Sequence, residues 1–121
     1  MHSSPYVRMG LWMYCDPNVL KRFMLKFHGK SSSWFNRCVA RLMDVSEVER
    51  SRVWIVRGRS NFGDSEPFYT VYFVRSSGRY FCTCYSKHKL YGQFRMRRVC
   101  THVGSVILWR MIRGELSEDG I

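Results

Sequence analysis

No stretch of this chain holds the roughly 18 to 20 consecutive apolar residues that a bilayer span needs. The nearest candidate, Met9 to Cys15, is too short and too interrupted for a secretory leader. No Gly-rich phosphate cradle, nucleophile elbow or paired-carboxylate constellation occurs, which leaves hydrolase, kinase and dinucleotide chemistry without machinery. Acidic residues are scarce, nine against twenty Lys and Arg, and only Asp64 and Glu66 fall between residues 50 and 113. Five cysteines are an odd number for a disulfide framework and fit a reducing, intracellular compartment, cytoplasmic or nuclear. There is no internal repeat and no low-complexity linker, and 121 residues suit one domain, small enough for a metal to matter to its stability.

What is present is concentrated in four residues. Cys82 and Cys84 are separated by one residue, as are Cys100 and His102. Three thiolates and an imidazole make a closed tetrahedral set for one structural zinc ion, with no position left for a catalytic water. Alternate residues of a strand share a face, so Cys82 and Cys84 are expected to leave a strand end together. Thr101 is the expected N-cap of the last helix, placing Cys100 just before it and His102 in its first turn. The competing account makes the cysteines ordinary buried residues. His88, inside the intervening loop, is placed outside the ligand set, and Cys15 and Cys38 are left as buried thiols.

The pattern C-x-C, spacer, C-x-H resembles the SWIM-type zinc finger. The resemblance covers residues 52 to 113: Val53–Gly58 and Tyr69–Val74 as strands, Phe81–Cys84 as the zinc knuckle, and Cys100–Val103 opening the helix. The family often continues C-x-H-x-x-A; Ser105 stands at that last position here, still a small residue. The resemblance implies DNA binding and protein interaction, and an accessory, non-ATPase role in homologous recombination and repair beside a RecA-like recombinase paralogue.

The formal charge of +11 is unevenly spread. Residues 50 to 113 carry thirteen Lys and Arg against two acids, whereas the tail from Gly114 carries three acids and no cation. Such a field attracts polyanions, although a merely solubilising surface has the same composition. Lys87, Lys89, Arg95, Arg97 and Arg98 share the inter-ligand loop with Tyr85, Tyr91 and Phe94. Cations for phosphates beside rings for bases is the composition of a single-strand-binding surface. Alternatively, Tyr91 and Phe94 turn inward and close the loop over the metal. Arg57 and Arg59 extend the basic surface if they face the same side.

The expected fold is α+β: about three antiparallel strands and a C-terminal helix clasped by zinc. Residues 1–50 form a helical extension, 51–113 the zinc module and 114–121 an acidic tail. Asp16-Pro17 starts a first helix with Leu20, Phe23, Met24 and Phe27 on one stripe, ending near His28-Gly29. Ser31–Ser33 cap a second helix marked by Phe35, Val39, Leu42 and Met43, and a further turn is expected around Asp44 to Val48. The last helix is apolar around most of its circumference. It is therefore either packed from two sides or offers Leu108, Trp109 and Ile112 as a partner interface. DNA, preferably single-stranded, and a protein partner are the leading ligands; the alternatives are an adaptor working through that helix without nucleic acid, or an RNA-binding protein.

Overall fold

A computed structural model describes residues 16–86 and 99–116. Helix α1 spans Pro17–Lys26: the Asp16 carboxylate accepts the Asn18 N–H at 2.8 Å, and Pro17 sits where no intrahelical N–H is needed. Val19 and Phe23 are its buried residues, whereas Met24, expected on the inner stripe, is 43% exposed. Helix α2 spans Ser32–Ala40 and is capped by the Ser31 hydroxyl, which accepts the Trp34 N–H at 3.1 Å. A 3₁₀ turn over Arg41–Asp44 follows. Its tighter winding carries Met43 off the expected inner stripe into solvent.

Four strands form an antiparallel meander in the order β1-β2-β3-β4: Val45–Glu49, Val53–Arg57, Phe68–Val74 and Arg79–Cys82. The fold is α+β as expected, and its sheet has one strand more than anticipated. The segment read as a further turn around Asp44 to Val48 is β1, a short edge strand with a bulge between Glu47 and Glu49. Consequently the expected boundary at residue 50 falls inside the β1–β2 turn, and the first fifty residues contribute a strand to the sheet.

Helix α3, Thr101–Ile112, lies against one face of that sheet and beneath α1 and α2. Trp54, Val56 and Val71 from the sheet, Val103, Val106 and Leu108 from α3, and Phe23 and Val39 from the first helices are essentially inaccessible to water. Burial from two sides explains why α3 shows no single apolar stripe. The close approach of α2 to α3 depends on Gly104, where an added Cβ would lie 2.6 Å from the Cys38 Sγ and 2.8 Å from the Trp34 ring. Among the described residues no helix is long and apolar enough to cross a membrane.

Candidate metal centre

The end of β4, the 3₁₀ turn Thr83–Ser86 and the start of α3 converge on one point. Cys82 closes β4, Cys84 lies one residue into the turn, Cys100 precedes α3 and His102 is in its first turn. The four donor atoms all lie within 4.8 Å of one another and all four residues are buried. Such a set could hold a metal ion. Cys100 itself, rather than Thr101, is the N-cap of α3: its Sγ accepts the Val103 N–H at 3.4 Å. Thr101 is the first helical residue, and its hydroxyl accepts instead from Arg41 Nε at 2.9 Å.

Three buried sulfurs so close together cannot all ionise unaided, because each charge is desolvated and repelled by the next. Hydrogen bonding to Cys100 and Cys84, together with burial, pushes the Cys82 thiol far up. Burial also opposes charge on Cys100, but hydrogen bonds from Cys82 and Cys84 help to outweigh it, and that thiol is held well below its usual range. A divalent cation removes this frustration by replacing the shared protons, so the donor chemistry fits a thiophilic metal.

The imidazole is fixed from two directions. Its Nε2 lies 3.1 Å from Asp64 Oδ1. Tyr69 stacks on the ring with centroids 4.0 Å apart, and the Tyr69 hydroxyl accepts the Ser65 and Glu66 N–H groups, tying the ring to the β2–β3 loop. The remaining nitrogen, Nδ1, is buried and has no hydrogen-bond partner. A carboxylate only accepts, so Nε2 carries the hydrogen and Nδ1 the lone pair. Its orphaned state is accounted for if it is a metal donor, with Asp64 as the outer carboxylate that orients a metal-bound histidine.

Asp64 is the least anticipated part of the centre, since the sequence shows it only as one acid in a turn-rich loop. Gly63, at φ +87°, ends the 3₁₀ turn Ser60–Phe62 and brings Asp64 back beneath it, a conformation that favours glycine. Arg41 reaches the carboxylate with two nitrogens, at 2.7 and 3.1 Å, and the Arg59 N–H donates to it at 2.8 Å. With His102 this makes four hydrogen bonds to one carboxylate, enough to satisfy it fully. Burial alone would push this acid up; the Arg41 hydrogen bonds, the Arg59 amide and the neighbouring Arg41 charge offset it, leaving it below the usual range. Arg41 is 1% exposed and packs over Phe62 as well. An early sign of this arrangement was available only in Gly63-Asp64, and nothing local pairs it with Arg41.

The α1–α2 loop and α2 also touch the segment that leads into the cluster. Lys30 Nζ and Trp34 Nε1 both donate to the Val99 carbonyl at 3.1 Å, immediately before Cys100.

The other expected sites divide. Lys87, Lys89, Arg95, Arg97, Arg98, Tyr91 and Phe94, and with them His88, lie outside the described residues. Arg57 is exposed, whereas Arg59 is held by Asp44 through Nε and Nη2. Leu108 is wholly buried and belongs to the core, because α1 and α2 supply the second cover that the apolar circumference of α3 required. Trp109 is half-buried beneath the Arg113 guanidinium, 4.4 Å from its ring, and Ile112 is 37% exposed.

Fold and site together define a small α+β domain whose C-terminal helix is joined to a four-stranded meander at a buried Cys3His cluster. No protein-family model, curated protein or solved structure matches the chain.

Proposed function

We propose that the cluster is a structural zinc site and that the chain is a SWIM-type module that binds nucleic acid, preferably single-stranded DNA, inside the cell. The observation that carries the zinc assignment is the orphaned His102 Nδ1 beside three buried cysteines. Cys82, Cys84, Cys100 and His102 would fill a tetrahedral ion, and zinc bound this way supplies folding free energy rather than a reactive water. Catalysis has no assigned residues in this account. The nucleic-acid reading rests on the charge of residues 50 to 113 and on the cations and rings of the inter-ligand loop. An accessory role beside a recombinase-like ATPase rests on the resemblance of the C-x-C and C-x-H pairs alone. The adaptor reading is weakened by the burial of Leu108, which leaves only Trp109 and Ile112 of the three anchors at the surface.

Metal content of the purified protein tests the first half: one zinc per chain is expected, and folded protein without metal would refute it. Anisotropy of a labelled single strand at several salt concentrations tests the second. Affinity should fall steeply with salt as counterions are released, and no binding at low salt by the zinc-loaded protein would leave the adaptor as the better account.

A further inference from the structure

The face of the sheet turned away from α3 is uncovered among the described residues, and its composition is unlike that of a solvated face. Register places Tyr72 between Val53 and Phe81, and Val74 opposite Arg79, all on that face. Tyr72 is 43% exposed and Phe68, further along the same strand, 60%. The turns joining β1 to β2 and β3 to β4 lie at the same end of the meander, bringing Arg52 and Arg75 beside Tyr72. There they line a cleft of about 420 Å³ together with Val53 and Val74. That volume falls within the roughly 300 to 1,000 Å³ of small-ligand sites. The outward positions of β2, β3 and β4 hold no acid. Glu49, at the cleft's margin on β1, pairs with Arg52 at 3.3 Å, but both side chains are more than half exposed, and such a pair is readily exchanged for another anion.

An exposed ring on a rigid strand, between guanidinium groups on two flanking turns, matches an unpaired base with phosphates on either side. A protein surface or a second copy of the chain could cover the ring, but the excess of exposed guanidinium groups over the single carboxylate of Glu49 at this end of the face favours a polyanion. We infer that this end of the open sheet face binds one nucleotide unit of a single-stranded nucleic acid, with Tyr72 stacking on the base and Arg52 and Arg75 contacting the adjoining phosphates. The inference rests on the nucleic-acid reading above but assigns a site separate from the inter-ligand loop.

The test uses the full-length zinc-loaded chain, a short fluorescein-labelled oligothymidylate, and two variants altered only at exposed positions, Tyr72→Ala and the pair Arg52→Ala with Arg75→Ala. Loss of one base stack should weaken binding roughly ten-fold while leaving the salt slope unchanged. Loss of two phosphate contacts should make the log–log salt slope shallower by about 1.4, at about 0.7 per contact on a single strand. A duplex of equal length should compete poorly, because its bases cannot reach the ring. Wild-type affinity and slope in both variants, with binding abolished by neutralising Lys87, Lys89, Arg95, Arg97 and Arg98, would overturn the sheet site and leave the nucleic-acid reading standing. Failure of the wild-type protein to bind any strand would remove both. Equal affinity for duplex, or a dimer in sedimentation equilibrium that Tyr72→Ala dissociates, would also overturn the inference.

Discussion

His102 and Asp64 meet at 3.1 Å through Nε2 and Oδ1, and this bond determines which ring nitrogen is left for a metal. The residues are 38 apart in the chain, one in the first turn of a helix and the other in a strand–strand loop, and both side chains are buried. Because Arg41 grips the same carboxylate and also the Thr101 hydroxyl, the end of α2, the β2–β3 loop and the start of α3 are tied at one point.

Removing the carboxylate should therefore be felt at the metal. Asp64→Ala is expected to lower zinc affinity about 10- to 100-fold, measured by competition with a chromophoric chelator. Long-range proton–nitrogen NMR of the zinc-loaded wild type should show the His102 hydrogen on Nε2. An Nδ1–H tautomer, or unchanged affinity in the variant, would remove Asp64 from the centre.

Arg41 should matter more to stability than its charge suggests. Arg41→Met leaves the Asp64 carboxylate buried without its principal partner, a change that costs about 3 to 5 kcal/mol when one member of a buried pair is removed. Arg41→Lys should not rescue it fully, since an ammonium cannot span both carboxylate oxygens and the Thr101 hydroxyl as the guanidinium does. Urea unfolding of the zinc-loaded proteins provides the comparison, and a loss below about 1 kcal/mol would contradict the buried pairing.

Acid sensitivity follows from the same carboxylate. Asp64 is held below its unfolded value of about 3.9, so its contribution to stability is complete above that value and disappears as pH falls through the lower, folded one. The cysteine and histidine side chains of the cluster also take up protons on acidification if they hold a metal, so Asp64→Asn serves as the control. Below about pH 4, unfolding of the wild type should be steeper with pH than that of the variant. Parallel curves by circular dichroism would mean that Asp64 carries no depressed carboxyl.

Much of this architecture is legible in local sequence because the signals are local: Asp16-Pro17 and Ser31 as caps, Val53–Val56 and Tyr69–Val74 as β-branched and aromatic runs, and the spacing of the two ligand pairs. Other parts are not. Strand β1, Val-Ser-Glu-Val-Glu, is polar, short and bulged, as edge strands often are, and only its pairing with β2 makes it a strand. The Arg41–Asp64–His102 chain joins three segments with no periodic relation, so no window of sequence contains it. Cys100 as a cap was obscured by Thr101, a better capping type that is instead recruited by Arg41.

Gly104 gives a test of the α2–α3 contact. In an isolated helix Gly→Ala would be favourable by about 1 kcal/mol, but here the new methyl would collide with Cys38 Sγ and the Trp34 ring. Overpacking of this kind costs about 1 to 3 kcal/mol. Gly104→Ala is therefore expected to lower the midpoint of thermal unfolding, and adding Cys38→Ala should recover part of the loss. An increase in stability from Gly104→Ala alone would show that the helices can separate freely.

Cys100 allows the metal's contribution to be separated from that of helix capping. A serine at this position can still accept the Val103 N–H, and serine is among the preferred N-caps, so Cys100→Ser keeps the start of α3 while deleting one thiolate. If Cys100 mattered only as a cap, the variant would be as stable as the wild type or slightly more so. If it is a ligand, zinc content should fall well below one per chain and the fold should be lost, because structural zinc contributes on the order of 10 kcal/mol of apparent binding free energy at neutral pH, comparable to the whole stability of a domain this size. Cys82→Ser, at the end of β4 and away from the start of α3, should give the same loss. Metal analysis with far-ultraviolet circular dichroism distinguishes the cases: a folded Cys100→Ser protein with full zinc would place the fourth donor elsewhere, whereas concordant loss in both variants locates the domain's stability at the junction of β4 and α3.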